Sequence, residues 1–207
     1  MRSGRKKGSE MLMSKHKRED ITWPPQCCVA AFLYSALEGQ GVKYESPLAL
    51  PALLGTNVGP GDKNPLNLPI NSDKKLRGLT VSRAVATFAE FFKNECMDLA
   101  FRYIAFKEVP LALYGDVLKK ALSENISVGL GMDVSYLALH TSSVPANHVF
   151  RVTAFDGAEV LLVDESGECE TRIFKKEIEV IERAVLAADN GFWLVGPQQK
   201  IHNVSFL

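Results

Sequence analysis

The segment from His148 to Asp164, HVFRVTAFDGAEVLLVD, constrains the fold more than any other part of the sequence. Two runs rich in valine, leucine and phenylalanine flank the dipeptide Asp156-Gly157. Such a dipeptide favours a tight hairpin turn, because glycine tolerates the positive φ that the turn requires. The segment therefore predicts two antiparallel strands, 148–155 and 158–164, joined by that turn.

The remaining periodic segments divide into helices and strands. The spacing of apolar residues predicts helices at about 28–38, 80–93, 113–123 and 176–188, with a helical turn at 48–54. Strands are predicted at about 99–106, 126–134, 171–174 and 191–195, the last of them closing the sheet. Helices come first and strands later, which is typical of an α+β protein whose N-terminal helical part packs on a C-terminal antiparallel sheet.

The composition of the N-terminal segment determines the domain organisation that we expect. Residues 1–20, MRSGRKKGSEMLMSKHKRED, are basic and contain no apolar core, so they do not resemble a secretory signal. We expect a flexible basic tail over 1–20 and a single domain over 21–207.

Composition argues against two classes of partner, with a local basic patch, such as the tail 1–20 on RNA or lipid, as the alternative. Lysine plus arginine and aspartate plus glutamate both total 24, so the formal net charge is zero. No whole-chain field attracts nucleic acid or anionic lipid. No apolar run reaches the roughly 18–20 residues that a membrane-spanning helix needs. We therefore expect no nucleic-acid partner and no membrane span, while the oligomeric state is left open.

The four cysteines indicate a reducing compartment, and we expect a cytoplasmic protein. Cys27, Cys28, Cys96 and Cys169 do not form the dense framework of a small secreted domain. Adjacent cysteines bridge each other badly, because the disulfide ring is strained. No CxxC or HExxH motif occurs, so we expect no metal site.

Two of these cysteines lie where PPQCCVAAF changes from a turn to the first helix. Unpaired N–H groups and the helix dipole favour a thiolate at this position, and the same N–H groups can bind the oxyanion of a tetrahedral intermediate. The stretch predicts an activated nucleophile. The alternative is a cysteine that packs as a small apolar residue.

A base and an orienting group are available on the predicted hairpin. If the turn is centred between Asp156 and Gly157, His148 lies opposite residue 165, and Asp164 is a near neighbour. A carboxylate there can hold the imidazole in the required tautomer. Each residue taken singly has a structural alternative. His148 is then a hydrogen-bonded structural residue, and Asp164 is an aspartate that stabilises a turn. The combination of cysteine, histidine and aspartate in that chain order favours a nucleophilic site.

These residues resemble a known family. Cys28-Val-Ala-Ala on a long helix, followed by NHVFRVTAFDGAEVLLVDES, is similar to the papain-like cysteine peptidase superfamily over residues 23–195. The closest branches are the bacterial leader peptidases that cut after double glycine and the phytochelatin-synthase-like enzymes. The resemblance implies a papain-like fold that cleaves a peptide or other amide bond through a thioester, without a cofactor.

In the residues of this chain, the resemblance implies Cys28 as nucleophile, His148 as general base and then acid, and Asp164 as orienting group. Cys28 is favoured over Cys27 because Ala31 then falls where the related enzymes carry a small residue. Cys27 is the alternative nucleophile; otherwise it packs beneath the turn or acts as a resolving thiol. The irregular stretch 46–75 would wall the substrate cleft.

One departure from the family leaves alternatives open. The related enzymes carry a glutamine about six residues before the nucleophile, where this chain has Thr22. Gln26 and Asn147 are the candidate oxyanion-hole donors; otherwise the hole is incomplete. This departure makes a non-catalytic binding or regulatory module on the same fold one alternative function. Acyl transfer is the other, because a thioester intermediate serves either acceptor. The acidic loop DESGECE, residues 164–170, is interpreted as solvated rather than as a cation site.

Overall fold

The computed structural model describes residues 21, 23, 24, 26–43, 48–56, 58–61, 67, 70–72, 80–95, 98–137, 147–169 and 171–204. The predictions for the basic tail 1–20 and for Cys96 lie outside these residues, as does part of the stretch 46–75.

The helices follow the predicted pattern closely. They are α1 (Cys28–Gly39), α2 (Ala49–Leu53), α3 (Val81–Glu95), α4 (Tyr114–Ser123), α5 (Ile178–Ala187) and α6 (Gln198–Ile201), the last of which the sequence did not indicate. In the described ranges, no helix combines the length and the apolar character needed to cross a membrane.

The strands are β1 (Leu99–Ala105), β2 (Ser127–Asp133), β3 (Asn147–Phe155), β4 (Glu159–Val163), β5 (Ile173–Glu177) and β6 (Gly191–Pro197). The strand predicted at 171–174 is observed at Ile173–Glu177. It therefore includes Lys176 and Glu177, which the sequence predicted as the start of the following helix. Its sequence IFKKE ends in residues that favour helices, but every second residue is exposed and the strand lies at a sheet edge. Pairing with β4 has therefore overridden the local preference.

These strands form one antiparallel sheet in the order β1-β6-β2-β3-β4-β5. The segment 191–195, predicted to close the sheet, instead lies inside it between β1 and β2. Its first six residues are all buried. A strand that is covered on both faces has a nearly continuous apolar sequence, and GFWLV is such a sequence.

Helices cover both faces of this sheet. On one face α1 and α3 pack with Trp193 of β6, and on the other α4 and α5 pack with Phe150 of β3. The glycine at position 129 of β2 allows α1 to approach, because a Cβ there would lie 3.0 Å from the ring of Phe32. The first helix is consequently buried along most of its length, as its alanine-rich sequence predicted.

The β3–β4 hairpin turns at the predicted dipeptide. The Asp156 carboxylate accepts hydrogen bonds from the backbone N–H groups of Ala158 and Glu159, and Gly157 has φ +107°. The pairing departs from the predicted register, because a bulge lies between Val152 and Ala154. Beyond the bulge the strands continue toward His148 and Asp164, so the open end of the hairpin carries both residues.

Candidate active site

The first helix begins at Cys28, directly after a strained turn. Gln26 has φ +63°, in the left-handed region that residues with a side chain rarely adopt. Cys27 is completely buried, whereas Cys28 retains 8% of its exposure. The turn therefore presents Cys28 at the helix start and directs Cys27 into the core.

His148 is the second residue of β3 and is 1% exposed. Its ring lies 4.6 Å from the ring of Phe150, measured between centroids. Its Nε2 is 3.0 Å from Oδ1 of Asp164, and because a carboxylate only accepts, Nε2 donates in this hydrogen bond. The Nδ1 atom is therefore the ring nitrogen that is available to a thiol.

Asp164 is buried at the centre of a hydrogen-bond network. Besides His148, the donors are Ser166 N at 3.0 Å, Ser166 Oγ at 2.8 Å, Gly167 N at 3.1 Å and Cys169 N at 2.6 Å. Burial works to raise the pKa of Asp164, but the hydrogen bond and charge of His148, together with these donors, hold it well below its usual range. The carboxylate is thus ionised and fixed in position.

The environment of His148 favours its protonated form. Burial works to lower its pKa, but the negative charge of a Cys28 thiolate and the hydrogen bond to Asp164 raise it well above the usual value. Polar contacts with Cys28 and Glu168 act in the same direction. Cys28, His148 and Asp164 are therefore brought together, with the histidine interacting with both of the others.

The other described thiols are held in their neutral form. Burial raises the pKa of Cys27 far above its usual value, and the charges of Cys28 and Glu168 add to the effect. Burial and the charge of Asp164 raise the pKa of Cys169 to about 12. The thiolate is the nucleophilic form of cysteine, so neither residue is suited to attack.

Glu168 is a residue near the site that the sequence did not single out. Its Oε1 accepts a hydrogen bond from the backbone N–H of Gln26 at 2.6 Å, and its Oε2 lies 3.4 Å from Nδ1 of His148. The sequence DESGECE indicated a solvated loop by composition, but this side chain is only 14% exposed and faces inward. Composition alone did not distinguish Glu168 from the other acids of this loop.

The two candidate oxyanion-hole donors are placed differently. Asn147 donates from its side-chain amide to the carbonyl of Ala188 at 3.4 Å, directly after the end of α5. Gln26 does lie beside the thiols, but its observed contact is made by its backbone N–H. The first backbone N–H groups of α1 are further potential donors to an oxyanion, because the helix begins at Cys28.

His148, Asp164 and Cys169 have potential metal-ligating atoms within 4.8 Å of one another. The Asp164 oxygens, however, already accept five hydrogen bonds. A metal ion would have to displace several of them, so the arrangement fits a hydrogen-bond centre better than a metal site.

A cavity of about 400 Å³ lies beside the site, between the N-terminal segment, α1 and the start of β5. The residues that line it include Trp23, Tyr34, Glu38, Asp164 and Arg172. Asp164 connects this cavity with the cluster around His148.

No protein-family model and no curated protein matches the sequence. Among solved structures, the chain is similar to one described as a "putative C39-like peptidase from Bacillus anthracis". The two share 12% sequence identity with a TM-score of 0.53, and the match covers 84% of this chain and 90% of that chain. The similarity supports the predicted α+β papain-like fold.

Proposed function

We propose that the protein is a cysteine peptidase-like hydrolase that cleaves a peptide or other amide bond through Cys28, His148 and Asp164. The observation that carries the proposal is the position of His148 between a helix-initial cysteine and an ionised, buried aspartate. The described cysteines are free thiols, which fits action in a reducing compartment such as the cytoplasm. The domain that performs the reaction spans 21–207 in this proposal.

The chemistry assigns one role to each side chain. His148 takes the thiol proton of Cys28 before the substrate binds, and the resulting thiolate attacks the carbonyl carbon of the substrate. The negative charge that develops on the carbonyl oxygen is stabilised by N–H groups at the start of α1. The imidazolium then protonates the departing amine, so that the C–N bond breaks and a thioester remains on Cys28.

Water completes the cycle. His148 accepts a proton from the water as it attacks the thioester, and the Cys28 thiolate leaves and recovers its imidazolium partner. Asp164 does not transfer a proton; it keeps Nε2 protonated and directs Nδ1 toward the thiol. An amine in place of water would give acyl transfer by the same steps.

The proposal is tested with the full chain and with Cys28→Ala and Cys27→Ala variants. Limiting iodoacetamide at neutral pH, followed by mass spectrometry, should label Cys28 before Cys96 and Cys169. Peptides that contain a double glycine, and a general peptide library, should be cleaved by wild type and by Cys27→Ala but not by Cys28→Ala.

The matched thiol variants separate the possible outcomes. Preferential labelling of Cys27, with activity lost only in Cys27→Ala, would move the nucleophile by one residue. Rapid labelling of Cys28 without cleavage, but with transfer to an added amine, would indicate an acyltransferase. Slow labelling of both cysteines and no turnover would contradict the proposal and favour a binding module.

A further inference from the structure

Glu168 contacts both the turn that carries the thiols and the ring of His148. One carboxylate oxygen, Oε1, is bonded to the backbone of Gln26, two residues before the proposed nucleophile. The other, Oε2, lies 3.4 Å from Nδ1 of His148 and is buried. Among the described residues, neither Oε2 nor Nδ1 makes a hydrogen bond of regular geometry, and the two atoms face each other in an ion-pair contact.

An ionised carboxylate oxygen that is buried without a partner is costly, because it loses its hydration. The cost falls sharply if the facing ring nitrogen carries a proton, since the pair then becomes charge-assisted. The His148 ring would consequently lie between two carboxylates, with Asp164 at Nε2 and Glu168 at Nδ1. Such an arrangement stabilises the doubly protonated imidazolium rather than either neutral tautomer.

We propose that Glu168 is a second acidic positioning residue of this site, which holds a proton on Nδ1 of His148 and ties the loop after β4 to the turn that carries the thiols. This inference rests on the proposed function for its catalytic meaning, although the charge state of His148 can be measured without any substrate.

The groups that face the ring are few and their charges can be compared. From the start of α1 comes Cys28, with Cys27 behind it. From the loop after β4 come Asp164, Glu168, Cys169 and the uncharged hydroxyl of Ser166, which lies 3.4 Å from Nε2. Cys27 and Cys169 stay neutral in the physiological range, so their thiols do not supply charge. Glu168 is therefore the one described carboxylate besides Asp164 that faces the ring at short distance.

The two contacts of Glu168 can be separated by substitution. Glu168→Gln keeps an amide oxygen that can accept from Gln26 N–H but removes the negative charge beside Nδ1. Glu168→Ala removes both contacts. A purely structural role predicts that Gln preserves all properties, whereas the proposed role predicts that Gln already changes the titration of His148.

The experiment is a pH titration of the histidine ring signals by NMR, using the full chain in the absence of substrate. His148 is identified by the loss of its signals in His148→Gln. In Glu168→Gln, the midpoint of His148 should fall by about one pH unit or more, as expected for the loss of one charge at this distance. The matched control is Glu165→Gln on the same loop, whose carboxylate pairs with Arg151 and which should leave the midpoint unchanged.

A second readout uses wild type alone, in case the variants fold poorly. Nitrogen-15 shifts of His148 at neutral pH should show protons on both ring nitrogens. A neutral ring with a bare Nδ1, or an unchanged midpoint in Glu168→Gln, would overturn the assignment. Because neither measurement needs turnover, a failure here is distinct from a failure to find a cleaved substrate.

Discussion

The two halves of the candidate site are held in place by different forces. The half on the hairpin is fixed by polar contacts, since Asp164 accepts five hydrogen bonds and one of them orients His148. The half on α1 is fixed mainly by apolar burial, because Cys27 and the alanines after it are packed in the core. The hydrogen bond from the backbone N–H of Gln26 to Glu168 links the thiol turn to the acidic loop.

This difference indicates how each half responds to change. A hydrogen-bond centre is sensitive to the removal of one acceptor, because all its buried donors lose their partner at once. A packed helix start tolerates small changes at its surface and is sensitive to changes in volume. The base should therefore be the rigid part of the site, and the position of the thiol the adjustable part.

The largest effect should come from removing Asp164, the acceptor at the centre of the hydrogen-bond network on the hairpin. Asp164→Ala should lower the free energy of unfolding by about 3–5 kcal/mol, because it leaves several buried donors and the imidazolium unpaired. Thiol inactivation by an electrophile should slow strongly in the same variant. Urea unfolding and second-order inactivation rates measure the two effects.

Asp164→Asn should have a smaller effect than Asp164→Ala in both measurements. An amide oxygen can replace Oδ1, but its NH₂ group would then face the N–H of Cys169, which bonds Oδ2 at 2.6 Å. We expect a loss of about 1–3 kcal/mol. If both variants kept wild-type inactivation rates, Asp164 would have no part in the site, and at most a Cys28–His148 pair would remain.

His148 and Asp164 should also make the stability of the protein depend on pH in a defined way. The pKa of His148 is raised in the folded protein, so its contribution to stability is complete below the unfolded value of about 6.5 and is lost as the pH rises through the folded value. The pKa of Asp164 is lowered, so its contribution is present above about 3.9 and is lost as the pH falls toward the folded value.

The stability difference between wild type and Asp164→Asn should therefore be largest between about pH 4 and 6.5. Urea titrations from pH 3 to 8.5 measure it and stay below the range in which buried thiols ionise. A difference that kept increasing above pH 7 would contradict the raised pKa of His148.

The smallest effect concerns the turn before the thiols. Gln26→Gly should increase the free energy of unfolding by about 0.5–1 kcal/mol, because glycine adopts φ +63° without strain and its backbone N–H can still donate to Glu168. If the Gln26 side chain also binds an oxyanion, cleavage should slow although the fold becomes more stable. Comparing the melting temperature with kcat in Gln26→Gly and Gln26→Ala separates the two effects.

Local patterns predicted most of the fold, because helices and hairpins depend on neighbouring residues. The first helix and the Asp156-Gly157 turn lie where the sequence indicated them. The place of β6 inside the sheet could not be predicted in this way, since strand order depends on pairing between distant segments. The bulge between Val152 and Ala154 is equally non-local, because it arises from how two strands fit together.

The candidate site was predicted in part. Cys28, His148 and Asp164 belong to short motifs, and the sequence brought them into one hypothesis. The near-complete burial of His148 was not evident, because a residue at the start of a strand usually keeps some exposure. Glu168 was missed because an acidic composition indicates solvent, whereas the folded loop largely buries the side chains of Asp164, Glu165 and Glu168.

The internal position of β6 has a consequence for how the chain is made. In the described sheet β1 pairs with β6 and with no other strand, yet about ninety residues separate them in the chain. During synthesis β1 leaves the ribosome long before its partner, and its backbone donors and acceptors stay open in the meantime. Pairing across such a sequence distance is slow to form. A nascent chain stalled before Gly191 should therefore remain sensitive to protease and to chaperones, although every residue of the candidate site has already been translated.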